Sequence, residues 1–228
     1  LPALNMAGFL FTGSDTGGFG CDTTEDLMIR WLQYSLFTPL FRNHSADGTR
    51  EQELYQFSNV EAAGKMIQIR YSLIPYLYSE FLKAALNDEM MFKPLAFDFP
   101  DDAMAEQVED QLLLGNELMI APIYKQNAQG RYVYLPEEMM LVRMHSSKDY
   151  TTEILPKGHH YVSVGLDELV FFIRNQKAIP FAESAENTAK TDYNTIQLLG
   201  YEGSSYELYT DNGTSPNPED SLTIKTLS

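Results

Sequence analysis

FTGSDTGGFG, residues 11–20, follows the apolar run AGFLF and sets one carboxylate, Asp15, among four glycines. Burying an unpaired carboxylate is costly, so Asp15 needs solvent or a partner. Glycine removes the Cβ and permits conformations and close approaches closed to other residues. Residues 7–12 read as a buried strand. A strand that ends in an acid inside a glycine-rich loop is how α/β enzymes bring a side chain to a ligand. The same letters also fit an Asx-type turn that merely ends the strand.

Downstream, the pattern alternates. Thr23 or Thr24 caps a helix, with Glu25 and Asp26 in its first turn. Leu27, Met28, Trp31, Leu32 and Leu36 then recur at helical spacing and predict one apolar face, with Trp31 in the core. Pro39 ends that run, and LFRNH (residues 40–44) is a second short apolar segment closing on polar groups. A long helical pattern follows from about residue 59 to 86, with Pro75 expected to kink or split it. Strand, helix, strand, helix is the order of a parallel sheet or barrel.

From about residue 89 the chain changes character. KPLAFDFP, ELMIAPIY, GRYVYLP, HYVSVG and LVFFIR are short strand-like runs separated by Pro, Gly, Asp and Asn, a spacing that predicts an antiparallel sandwich. AMAEQVEDQLLL, within residues 103–114, reads as a short helix interrupting it. From about residue 184, IQLLGYEGSSYELYTDNG gives two strand-like runs around a Gly-Ser turn, and LTIKTL a last strand. The expected division is therefore 1–88, 89–183 and 184–228.

Composition narrows the function classes. The hydrophobic content of 44% and aromatic content of 12% are those of a globular protein. A net charge of −16 argues against binding nucleic acid or anionic membranes through general electrostatics. Cys21 is the only cysteine, which rules out an intrachain disulfide and a cysteine zinc cluster. It suits a reducing compartment, and a cytoplasmic location is the expectation. No apolar run is long enough for a membrane-spanning helix. The chain opens directly into core-like sequence without an initiator Met or basic flank, which reads as a piece of a longer protein.

No Walker loop, GxSxG elbow or HExxH motif is present, and GSDTGGFG does not fit a dinucleotide loop. His159 and His160, in KGHHYV, read as a solvent-exposed turn, and His145 as part of a polar loop, so no metal or other cofactor is expected. Asn43-His44-Ser45 and Asn212-Gly213-Thr214 match the glycosylation acceptor pattern. Arg42 and His44 stand two apart at the end of an extended segment and so point to one side. Together they can hold a carboxylate and donate to a hydroxyl, or form a structural ion pair.

Taken in order, AGFLFTGSDTGGFG, EDLMIRWLQYSLFTPLFRNHS, RYSLIPYLYSEF and KPLAFDFPDDAMAEQVEDQLLLGNELMIAPIY resemble the C-terminal part of glycoside hydrolase family 31, in particular its bacterial α-glucosidases. The resemblance runs on through YVYLPE, a FFIRNQKAIP strand and ELYTDNG. It implies a mixed α/β and all-β chain: the last two units of a (β/α)8 barrel over 1–88, a proximal β-sandwich domain over 89–183, and the start of a distal β domain from 184. By the same resemblance, Asp15 lies at the C-terminal end of barrel strand seven. Phe19 matches an aromatic residue lining the sugar pocket. Arg42 and His44 match the pair at the end of strand eight, Arg42 orienting a carboxylate and His44 bonding a sugar hydroxyl.

The resemblance also implies that the nucleophile and the general acid/base, both aspartates, belong to strands before Leu1, so the chain alone is expected to be inactive. Retaining hydrolysis needs both carboxyl groups roughly 5 Å apart. The implied partners are small α-glucosides and the rest of the same polypeptide, with a homo-oligomer left open. The family's proximal domain usually carries a Trp-bearing segment after its YLP strand. Here that segment is EEMMLVRMHSSKDY, which reads as a divergent surface. Two rival readings stand beside this one: an α-xylosidase of the same family, and a non-catalytic β-sandwich that binds carbohydrate through exposed aromatics such as Tyr132 and Tyr134.

Overall fold

The computed structural model describes residues 1–228. A short helix, α1 (Pro2–Met6), leads to strand β1 (Gly13–Thr16), and helix α2 (Glu25–Ser35) leads to strand β2 (Leu40–Asn43). The two strands lie side by side in parallel, with Asp15 opposite Arg42. Thr24 is the cap of α2, its Oγ1 accepting the Leu27 amide at 3.2 Å. Met28, Leu32 and Leu36 form the buried face, but Leu27 is exposed and Trp31 only half-buried, so neither belongs to the core as the spacing predicts. The long helix α3 (Val60–Asn87) continues unbroken through Pro75. Leu73 and Tyr76, on either side of that proline, are completely buried. Packing on both flanks outweighs the one hydrogen bond a proline forfeits.

Residues 7–12 do not form the strand their apolar content predicts. Pairing begins with the Leu40 amide donating to the Thr12 carbonyl, and Phe9 and Phe11 are 64% and 67% exposed. Gly13 lets β1 run close beside β2, since a Cβ there would stand 2.0 Å from the Leu40 carbonyl oxygen.

Beyond α3 comes a six-stranded sheet. Its members are β3 (Phe92–Pro94), which runs into the short helix α4 (Leu95–Asp98), then β4 (Leu112–Leu114) and β5 (Leu118–Ile120), and three later strands. β6 (Gly130–Leu135) leaves this sheet to pair with β9 (Gly158–Ser163) in a separate two-stranded layer. β7 (Met139–Ser146) and β8 (Asp149–Leu155) form a hairpin, and β10 (Leu169–Arg174) lies between β5 and β7. The predicted helix over 103–114 is absent. In its place stand a single helical turn at Ala105–Gln107 and β4, because LLL pairs antiparallel with LMI of β5. KPLAFDFP is likewise half strand and half helix.

The segment EEMMLVRMHSSKDY is not a surface. It supplies β7, where Met139, Leu141, Val142 and Met144 are all at most 3% exposed. Alternate residues on β7 and β10 enter different cores. Val142, Phe171 and Ile173 face the layer of α2 and α3, while Leu141 and Phe172 face β6 and β9. A strand buried on both faces has no reason to alternate polar and apolar residues, which is why MMLV and LVFFI read as continuous apolar runs.

FFIRNQKAIP contains two strands, β10 and β11 (Ala178–Phe181). The two runs around the Gly-Ser turn do not pair with each other. β12 (Gln197–Gly200) pairs back to β11, and β13 (Tyr206–Thr210) pairs with β14 (Thr223–Leu227). Residues 183 and 184 thus lie in the connection between the paired strands β11 and β12. α3 packs on β7, β11 and β13 together, so one core runs from Met28 through Tyr76 and Phe171 to Leu208. The buried Arg30 of α2 adds a polar tie, donating to the carbonyls of Ala128, Val164 and Gly165 at 2.9–3.0 Å.

Candidate active site: the C-terminal ends of β1 and β2

Asp15 and Arg42 are the penultimate residues of two adjacent parallel strands, and their register makes them direct neighbours. Arg42 Nε donates to Asp15 Oδ1 at 2.6 Å, with the Arg42 side chain 53% exposed and that of Asp15 20%. Immediately after β1 the chain turns back, the Gly18 amide donating to the Asp15 carbonyl at 2.9 Å. Gly17 and Gly18 hold φ of +91° and +94°, in the left-handed region where a Cβ is strained. At Gly17 a Cβ would also come within 2.5 Å of the Met28 methyl on the buried face of α2. The glycines therefore allow the loop to lie flat against α2 and to carry Phe19 out over the strand ends.

Phe19 is 51% exposed and its ring centroid lies 5.3 Å from that of His44, tilted by 36°. His44, just past β2, is also exposed. The Ala46 amide donates to the Phe19 carbonyl at 2.8 Å, tying the two loops at that point. All four residues singled out from the sequence thus converge on one rim: an ion pair, and beside it an aromatic ring packed at a tilt against an imidazole. A charge-assisted pair of this kind presents fixed acceptors and donors to neutral hydroxyls, and the two rings offer an apolar wall.

Two residues at this rim escaped the sequence reading. Trp31 Nε1 donates to Ser14 Oγ at 3.0 Å, one residue from Asp15. Gln52 sends its side-chain amide between the two loops. A one-sided helical position hid the first, and a polar loop without periodicity hid the second. The other histidines lie elsewhere and on strands rather than in loops. His145 is near the end of β7, bonded to the Asp167 carbonyl at 3.1 Å. His159 and His160 sit on β9 opposite Tyr134 and Val133, which makes KGHHYV a strand, not a turn.

Polar residues at the C-terminal ends of parallel strands, with helices behind and antiparallel β layers appended, are the arrangement of the last units of a (β/α)8 barrel. Residues 1–80 match the family 31 glycosyl hydrolase TIM-barrel domain, and residues 88–179 the C-terminal domain of the same family. The chain belongs to glycoside hydrolase family 31. It is 34% identical over 217 residues to alpha-glucosidase 2 of Bacillus thermoamyloliquefaciens, covering 92% of this chain and 27% of that protein. The chain therefore spans about a quarter of the length of that curated relative. Among solved structures it superposes on a Flavobacterium johnsoniae family 31 dextranase complexed with glucose, with a TM-score of 0.80 and 24% identity, covering 97% of this chain and 28% of that one. A family 31 α-xylosidase from Xanthomonas citri gives a TM-score of 0.73 at 23% identity, covering 89% and 22%. At such identities the likeness shows the fold alone.

Proposed function

We propose that this chain forms one flank of the sugar pocket in a retaining, exo-acting α-glucosidase that releases terminal glucose from small α-linked oligosaccharides. The observation that carries the proposal is the shared rim: the Asp15–Arg42 pair at 2.6 Å beside the tilted Phe19–His44 ring pair at 5.3 Å, at the ends of neighbouring parallel strands. The 34% identity to a bacterial α-glucosidase supports the choice of sugar and linkage class. In this reading Arg42 holds Asp15 in place, the second oxygen of Asp15 accepts from a sugar hydroxyl, His44 donates to another, and Phe19 walls the ring. Asp15, engaged by Arg42, is assigned to binding. The nucleophile and the general acid/base are assigned to barrel strands outside this chain, so the 228 residues alone supply pocket but not chemistry.

The test is a pair of substitutions in the full-length protein. A hydrogen bond that strengthens as the ring flattens toward the oxocarbenium-like transition state affects kcat as well as KM. His44→Ala is expected to lose on the order of 2–4 kcal/mol of that stabilisation, a fall of roughly thirty- to a thousandfold in kcat/KM on p-nitrophenyl α-glucoside. His159→Ala, at an exposed position of β9, is expected to change it by less than about twofold. Thermal melts of both variants separate folding from function. Near-normal kcat/KM in His44→Ala would sink the placement of the pocket. Preference of the wild type for p-nitrophenyl α-xyloside would move the activity to the xylosidase reading.

A further inference from the structure

We propose that Gln52 is a positioning residue that locks the two pocket loops into one unit and so sets the gap between Phe19 and His44. The proposal rests on the sugar-pocket reading above. Gln52 lies in the polar segment TREQELYQF, outside any helix or strand, between exposed Glu51 and Glu53. It is nonetheless only 3% exposed. A long polar side chain buried in a loop is unusual unless its polar atoms are used.

One end of this amide is heavily used. Nε2 lies 3.0 Å from Asn43 Oδ1 and 3.3 Å from each of the carbonyls of Thr16, Gly18 and His44. Two N–H protons are thus shared among four acceptors. Oε1 is buried with no donor partner, so the side chain serves as a donor alone. The acceptors divide evenly between the loops. Thr16 and Gly18 bracket the turn that carries Asp15 and Phe19, whereas Asn43 and His44 belong to the end of β2. Asn43 returns the contact, its Nδ2 donating to the Gln52 carbonyl at 2.7 Å.

Strand alternation explains the arrangement. Successive side chains on an extended segment point to opposite sides. Arg42 and His44 turn toward the pocket, and Asn43 between them grips Gln52. Two of the three carbonyls Gln52 binds belong to His44 itself and to the residue before Phe19. Loss of this donor therefore frees the two residues whose spacing forms the wall, without touching a group that would contact sugar.

The experiment uses the full-length protein with Gln52→Met, which keeps length and bulk but removes the donor, and Asn43→Ala alone and combined with it. The readouts are kcat and KM on p-nitrophenyl α-glucoside, the Kd of 1-deoxynojirimycin, and thermal melts. A displaced pocket wall is expected to raise KM and Kd together by roughly ten- to a hundredfold, more than kcat falls. The double variant is expected to cost no more than the worse single one, because both residues serve one network. A fall in kcat with unchanged KM and Kd would mean only that less enzyme is folded, and would overturn the proposal. Unchanged constants would overturn it as well. Wild type and His44→Ala report separately on the pocket: if His44→Ala weakens binding and Gln52→Met does not, only this proposal fails, and if wild type neither binds nor turns over, both fail.

Discussion

The rim at the ends of β1 and β2 and the junction under α3 use polar side chains in opposite ways. At the rim, Asp15, Arg42 and His44 stand at strand ends in contact with solvent, braced from behind by Trp31 and Gln52. At the junction, Glu80 of α3, Glu117 between β4 and β5, Tyr76 and Tyr206 of β13 are all at most 9% exposed. There Tyr206 Oη donates to Glu80 Oε1 at 2.6 Å, and Lys83 Nζ donates to the same oxygen at 2.7 Å. Gly115 closes the cluster with φ of +62°, because a Cβ would lie 2.1 Å from Glu80 Oε2. The rim keeps its polar groups available at little cost to folding. The junction consumes its polar groups to hold α3, the β4–β5 turn and β13 together. Removing groups from each place should therefore have separable effects on stability and binding.

The largest effect is expected where the core crosses between layers. Phe171 on β10 is fully buried and meets Phe37, just past α2, edge-on at 6.2 Å. Phe171→Ala is expected to cost about 3–5 kcal/mol, as large-to-small changes of buried aromatics do. Phe11→Ser, at a ring 67% exposed ahead of β1, is expected to shift stability by less than about 0.5 kcal/mol. Urea midpoints of the 228-residue chain with each substitution compare the two. Similar losses would erase the distinction between a sealed core and an open rim.

A smaller effect, on the order of 1–3 kcal/mol, is expected from Glu117 and depends on pH. Burial, with Glu80 nearby, pushes its carboxyl up to about 7, while Lys83, Lys177 and the Asn116 amide oppose that rise. The folded chain therefore binds a proton that the unfolded chain has released, between about pH 4.5 and 7. In that window stability falls as pH rises. The contribution is intact below the lower value and lost above the upper one. Glu117→Gln removes the titration and is expected to leave stability near pH 4.5 almost unchanged while raising it at pH 8. Melting temperatures of both proteins across pH 4.5–8 test this. A variant that loses stability at pH 8 would show that the carboxylate is well paired there and that the assigned cause is wrong.

The sequence disclosed the two regions unequally. Asp15 stood out as an acid ending a strand among glycines, and Arg42 and His44 as residues two apart on an extended segment; Phe19, and the roles of all four, came only from the resemblance to family 31. α2 and α3 were legible from spacing and from Thr24. The sheet was harder. β7 read as a surface because its segment lacks the family's tryptophan, and a strand buried on both faces offers no alternation to correct that reading. β4 read as a helix because LLL carries no period of its own. The residues of 7–12 read as strand because apolar letters report burial, and nothing local says whether a β-partner stands beside them. Gln52 was invisible for a related reason, since its meaning lies in carbonyls 8–36 positions away.

A small effect on folding is also expected at the ion pair placed beside the proposed ligand. The Arg42–Asp15 pair is short, but Arg42 is half exposed, so water and salt screen the attraction and the long side chain loses rotamer freedom in forming it. Arg42→Gln is expected to change the urea midpoint of the chain by the equivalent of less than about 1 kcal/mol, with a difference that shrinks further in 0.5 M salt. The same substitution in the full-length protein unfastens Asp15, and is expected to raise the Kd for 1-deoxynojirimycin at least tenfold. A large loss of stability with unchanged binding would reverse the assignment, making the pair a structural clasp between β1 and β2. The opposite split, little stability lost and much binding, is what a rim built for a ligand requires.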